Sequence, residues 1–148
     1  IMLKTRSIVS LLVNSSLELV KTSSFKCRTY IGDPLNAAYV FSGFEVDELL
    51  ILDIDASPDG RTIPVSFVQS VANFAEVPLT IGGGISKLDH ISSILSAGVE
   101  RVVLSSALET NFSFLRDASN TFGSSTISVI CNVKMGDDGT HQAFLGAP

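Results

Sequence analysis

The sequence predicts an α/β fold, with parallel strands side by side and helices packed outside them. Three observations carry that expectation. Short apolar runs rich in β-branched residues recur at 7–13, 48–54, 79–82, 101–105 and 126–132. Segments of helical period separate them, bounded by proline, glycine or capping residues. The composition fits a large core: 45% of the 148 residues are hydrophobic and 17% charged, against roughly 25% charged in an ordinary soluble domain. Near-continuous apolar character suits strands covered on both faces, and strands alternating with helices imply right-handed crossovers.

The elements follow in order. The first strand, 7–13, lies behind Arg6. Asp33-Pro34 then places a good N-cap before a proline at the first helical position, predicting a helix over 34–41 that Gly43 closes. The strand at 48–54 leads to a helix over 64–74, and Pro78 introduces the strand at 79–82. Ser86 is a capping candidate for a helix over 86–97 that ends at Gly98. The fourth helix spans 111–121 and stops at Gly123, before the fifth strand at 126–132. No long Pro- or Ser-rich linker interrupts the series, so one domain over 1–148 is expected. A weak repeat relates Val46-Asp47-Glu48-Leu49-Leu50-Ile51 to Val99-Glu100-Arg101-Val102-Val103-Leu104, as expected of equivalent strands two units apart in a (βα) barrel.

Composition excludes several functions. A net charge of −5 and a pI near 4.8 argue against nucleic-acid binding, which needs a basic face to displace counterions. A small anionic ligand stays possible, because backbone N–H groups hold phosphate without net positive charge. Cys27 and Cys131 lack metal or CxxC spacing and read as free thiols of a reducing cytoplasm; His90 and His141 are isolated, so no metal site is expected. Residues 1–13 only loosely mimic a signal peptide, since Ser7 and Ser10 break the apolar run and no cleavage site follows. No run approaches the ~18 apolar residues of a membrane span. No membrane partner and no cofactor are expected.

Three groups of residues could carry chemistry. Ile81-Gly82-Gly83-Gly84-Ile85 runs from a strand toward a helix. Its glycines would let the backbone approach an anion, and the helix start would add free N–H groups; the alternative is a turn that merely needs positive φ. Ser105 and Ser106 end the neighbouring strand, so Gly82, Gly83, Gly84, Ser105 and Ser106 are candidate phosphate ligands. Next, Leu52-Asp53-Ile54-Asp55-Ala56-Ser57 places carboxylates at the C-terminal end of a buried strand, where barrel enzymes keep catalytic groups. Capping of the following loop is the competing role. Last, Arg6, Glu48 and Arg101 each open a strand and could form an ion-pair ring at the opposite end.

The order and spacing of several motifs make the chain resemble a known family. They are the run from Arg6 to Val13, Val20-Lys21, Gly32-Asp33-Pro34, Asp47-Glu48-Leu49, Leu52-Asp53-Ile54, Ile81-Gly82-Gly83-Gly84-Ile85 and Phe122-Gly123-Ser124. Together they resemble the cyclase subunit of imidazole glycerol phosphate synthase, and more closely its relatives in surface-sugar amidation clusters. The likeness covers nearly all of this chain but only the first half of a (βα)8 barrel of about 250 residues. It implies a phosphate site at Gly84, Ser105 and Ser106, and Lys21 in a mobile first loop. It also implies a glutaminase partner whose ammonia enters past Arg6, Glu48 and Arg101. The family's two catalytic carboxylates fall on Leu12 and Asn132 here.

Two readings and a third follow. The leading expectation is a stand-alone half barrel, closed by association with itself as a homodimer or larger oligomer, that binds a phosphosugar without the parent acid–base pair. Alternatively, residues 134–148 fold back across the open face, with a short C-terminal strand over Gln142–Leu145. The second reading is a cyclase subunit, of lyase type, working with a glutaminase in histidine biosynthesis or sugar amidation. The third is an interaction protein whose glycine run is only a turn.

Overall fold

The computed structural model describes residues 5–23, 27–44 and 46–146. Expectations that touch residues 1–4 lie outside them. Strand β1 (Ile8–Val13) is followed by a hairpin of β2 (Leu19–Ser23) and β3 (Cys27–Gly32), then helix α1 (Pro34–Gly43). The chain continues through β4 (Glu48–Asp53), α2 (Val65–Phe74), β5 (Leu79–Gly82), α3 (Leu88–Ser96) and β6 (Arg101–Leu104). A short turn of helix, α4 (Ala107–Thr110), precedes α5 (Ser113–Phe122) and β7 (Ile127–Val129), and a hairpin of β8 (Asn132–Met135) and β9 (His141–Phe144) ends the described part. The main sheet has the order β3-β2-β1-β4-β5-β6-β7. Its members from β1 through β4, β5 and β6 to β7 pair in parallel, and β2 pairs antiparallel with both β1 and β3. The five parallel strands alternating with helices are those the apolar runs predict.

One face of this sheet is sealed by the helices. Leu11 and Val13, Leu49 and Ile51, Ile81, and Val102 and Leu104 point to it at period two and are buried. They meet Ala38 of α1, Val68 and Val71 of α2, Ile91 and Ile94 of α3, and Phe114 of α5 in one cluster. Each such side chain, fully removed from water, contributes roughly 1.5–3 kcal/mol. The other face is less covered, and at the edge Ile8 is 52% exposed. β2 reaches β1 only opposite Leu12 and Val13, so Ile8 to Leu11 have an open edge, as does the outer side of β7 among the described residues.

Several boundaries differ from expectation for local reasons. The third helix starts at Leu88, not Ser86, because the carbonyl of Lys87 receives the first helical N–H groups, while Ser86 N–H turns to the His90 ring. Pro64 precedes α2 as its N-cap in extended conformation. α1 runs on to Gly43 with Phe44 as C-cap, and Asp33 caps it by accepting from Asn36 N–H at 2.8 Å. The fifth strand breaks: Ile130 N–H still bonds Leu104 carbonyl at 3.1 Å, but β7 ends at Val129 and Asn132 opens β8. The described part of the segment after Asn132 comes back to the cavity that Leu12, Leu52 and Val103 line. It forms the β8–β9 hairpin, and Gly146 returns to the end of β6, where its N–H bonds Ser105 Oγ at 3.0 Å.

Candidate functional site

A cavity of about 250 Å³ opens at the C-terminal ends of the parallel strands. Ends of four strands meet there: Leu12 from β1, Leu52 and Asp53 from β4, Gly82 from β5 and Val103 from β6. The loops beyond them supply Ser57, Gly83, Gly84, Ser105, Ser106 and Asn132. All five candidate phosphate ligands therefore border one space.

Packing explains the glycine run. A Cβ on Gly82 would stand 2.7 Å from Leu52 Cδ2 and 3.1 Å from Val103 Cβ, so the flanking strands press on it from both sides. Gly84 sits at φ +64°, and a Cβ there would collide with the carbonyl of Arg61. That carbonyl lies in a loop stitched to the glycines. Ile63 N–H donates to Gly83 carbonyl at 3.0 Å, and Thr62 Oγ1 donates to Gly84 carbonyl at 3.1 Å. The N–H groups of Gly84 and Ile85 find no acceptor among the described residues. Unengaged backbone donors beside a cavity suit an anion.

The serines divide. Ser106 Oγ and Ser57 Oγ lie 2.7 Å apart at the wall, two hydroxyls able to turn to a ligand. Ser105 Oγ is already committed, donating to Ile130 carbonyl at 3.1 Å and accepting from Gly146 N–H. Its role is to hold the chain's return. Asn132 likewise donates from Nδ2 to Gly146 carbonyl. Leu12 and Asn132, one at each side of the mouth, bring no ionisable group to it.

Asp53 lines the cavity but its carboxylate is fully occupied. With its side chain wholly buried, it accepts Asp55 and Ala56 N–H groups at 3.1 and 3.0 Å. Arg61 grips it bidentately at 2.5 and 3.1 Å. Hydrogen bonding to Asp53 is the main reason that the Arg61 guanidinium stays protonated even more firmly than usual. So tied, the carboxylate anchors the 55–61 loop to the end of β4. Asp55 accepts Ser15 N–H at 2.8 Å and Arg28 at 2.5 Å, fastening the β2–β3 hairpin to the strand-end face. Lys21 is exposed on β2 and does not line the cavity. Its neighbour Thr22 does, because successive strand residues face opposite sides.

At the other end of the strands, Glu48 is 3% exposed and receives three donors. Arg101 Nη1 lies at 2.7 Å, Arg6 Nη2 at 3.3 Å, and Thr80 Oγ1 also donates to it. The three charged strand starts thus form one ion-pair cluster, far from the cavity. No trio of His, Cys, Asp or Glu able to hold a metal occurs among the described residues. Cys27 and Cys131 are free and exposed. No helix among the described residues is long and apolar enough to cross a membrane.

Thr22, Arg61 and Thr62 escaped the sequence reading, and Ser57 was noted only as the end of the acidic run. Arg61 and Thr62 reach the glycines only through a loop whose path no local pattern encodes.

The family profile described as "Histidine biosynthesis protein" matches residues 11–144. A protein of Leptospira interrogans, provisionally named as the HisF subunit of imidazole glycerol phosphate synthase, is 41% identical over 133 residues, covering 90% of this chain and 52% of its own. The imidazole glycerol phosphate synthase subunit HisF of an Exiguobacterium species is 40% identical over 136 residues, 92% of this chain and 53% of its own. The subunit of the same name from Streptococcus mutans is 36% identical over 146 residues, 98% of this chain and 58% of its own. The chain spans about half the length of the curated relatives it matches.

Proposed function

Because the chain belongs to the histidine biosynthesis protein family, and carries half of its (βα)8 barrel, we propose that it forms the phosphate-binding half of a cyclase of the imidazole glycerol phosphate synthase type. One observation carries the reading. The unengaged N–H groups of Gly84 and Ile85 and the Ser57–Ser106 hydroxyl pair border the same strand-end cavity. Donors on three successive βα loops suit the phosphate of a phosphosugar, which the strand-end groove would hold lengthwise. Gly82 and Gly83 let the backbone come close, and Ser105 keeps the wall in place. Ammonia from a glutaminase partner would enter past Arg6, Glu48 and Arg101 at the opposite end. Asp53 orients the Asp55–Arg61 loop, and Lys21 would act only if the β2–β3 hairpin moved. The test is ammonia-dependent cyclisation of the ribulose-phosphate-containing family substrate, with and without a glutaminase. Turnover that Ser106→Ala weakens chiefly through KM supports the reading; a chain that neither turns over nor binds inorganic phosphate refutes it.

A second reading is favoured by Leu12, which the family resemblance aligns with a catalytic carboxylate, and by the open edges of β1 and β7 among the described residues. In it, the half barrel associates with a second copy and binds the phosphosugar without turnover. A twofold axis would bring each β1 edge to the other copy's β7, duplicating the anion site. Sedimentation equilibrium separates the two: a concentration-independent closed oligomer without turnover supports the second, and a monomer excludes it.

A further inference from the structure

His90 is isolated in the sequence, yet its ring meets the glycine loop. Thr62 Oγ1 lies 2.9 Å from His90 Nδ1 and 3.1 Å from Gly84 carbonyl, and Ser86 N–H points at the same Nδ1 at 3.4 Å. Thr62 has one hydroxyl hydrogen and cannot satisfy both neighbours with it. If Nδ1 is bare, it accepts from Ser86 N–H and from Thr62, and Gly84 carbonyl loses its donor. If Nδ1 carries a proton, it donates to Thr62, whose hydrogen then goes to Gly84 carbonyl, and Ser86 N–H is released. The two arrangements treat the anion donors differently. In a trans peptide the carbonyl of Gly84 and the N–H of Ile85 point opposite ways, so anchoring the carbonyl fixes the direction of that unengaged N–H. Only the protonated ring also adds positive charge next to the loop.

We infer that His90, acting through Thr62, is a positioning residue for the glycine loop, and that an anion held at Gly84 and Ile85 is bound together with a proton on His90. This rests on the phosphate reading proposed above. Histidine as a residue type changes charge between pH 5 and 8, so pH 6 and pH 8 are the conditions at which to compare the two arrangements. Other charges around the ring are few or engaged. Lys87 and Asp89 flank it on its own helix start, and Arg61, next to Thr62, is held by Asp53 and Asp59. α2 and β5 carry no ionisable side chain, Arg101 of β6 is bound to Glu48, and Arg116 and Asp117 of α5 are exposed.

The test is a titration of the full chain with sulfate, a dianion throughout this range, at pH 6 and pH 8, followed through the amide signals of Gly84, Ile85 and Ser86. Sulfate should bind about threefold to tenfold tighter at pH 6, and His90→Gln should bring the ratio close to one while leaving the fold intact. Without sulfate, the Ser86 and Gly84 amides should move as His90 titrates. Equal sulfate affinity at both pH values, or the same ratio in His90→Gln, overturns the inference and leaves the phosphate reading standing. Absence of sulfate binding at either pH in the folded chain overturns the phosphate reading and the inference with it.

Discussion

Gly84→Ala is the perturbation that separates a backbone requirement from a packing requirement, because the chain contains its own control. Gly84 and Gly60 adopt nearly the same conformation, φ +64° and +65°, yet a Cβ on Gly60 meets nothing within 4 Å. On Gly84 it would collide with Arg61 carbonyl and lie 3.2 Å from Ala56 Cβ. Each alanine bears the left-handed penalty, roughly 1–2 kcal/mol, so Gly60→Ala should lose about 1 kcal/mol. Gly84→Ala must also push backbone against backbone, which adds about 1–3 kcal/mol of overpacking. The expected total is about 2–5 kcal/mol, and the shift should break the Thr62–Gly84 bond. Urea unfolding of the two variants measures the difference, with sulfate binding as the functional readout. If the variants lose equal stability, or Gly84→Ala binds sulfate like the parent, the packing argument fails.

Three further outcomes are expected. Arg61→Met strips the partner from a wholly buried Asp53 carboxylate that keeps only two backbone donors. The loss in urea unfolding should be about 2–4 kcal/mol, below the ~3–5 of a sealed pair because the guanidinium side is partly wet, and Asp53→Asn in the same chain should recover part of it. Glu48→Gln leaves Arg6 and Arg101 without their shared acid and should cost about 1–2 kcal/mol, mostly through Arg101, since Arg6 is 46% exposed and screened; a variant as stable as the parent would deny the cluster a structural role. The Asp138 carboxyl is held below its usual range, first by the Thr140 hydroxyl and then by Thr140 N–H. A depressed value stabilises the β8–β9 turn above the ordinary carboxylate range and is lost as pH falls through the folded value. Thr140 amide exchange should therefore accelerate in acid, and Asp138→Asn should remove that dependence.

The parallel core was legible because its signals are local. Asp33-Pro34 announces α1, and the β-branched runs announce β1, β4, β5, β6 and β7. The β2–β3 hairpin was not, because only Leu19 and Val20 of its ten-odd residues are buried and the rest reads as polar loop. The ladder to β6 ends with the bond from Ile130 to Leu104, and where such pairing between strands stops is recorded in no run of residues. At the site, glycines and serines stood out by type and position. What each does was hidden: Ser105 and Ser106 are neighbours of equal chemistry, yet one hydroxyl is locked to the returning chain and the other faces its partner Ser57. Asp53 looked like a catalytic carboxylate, and only the distant Arg61 reveals its tie.

The register of the sheet bears on how the chain assembles during synthesis. Leu49 stands opposite Leu79, Thr80 opposite Arg101 and Val102 opposite Ile127, so each new strand docks on the one emerging just before it. Even the longest step, Ile8 opposite Glu48, is bridged by a hairpin and a helix. Such neighbour-to-neighbour order keeps loop-closure entropy low at every step. The sheet can therefore be laid down strand by strand from the amino end, and the glycine-lined cavity comes into being only when β6 arrives to press against Gly82.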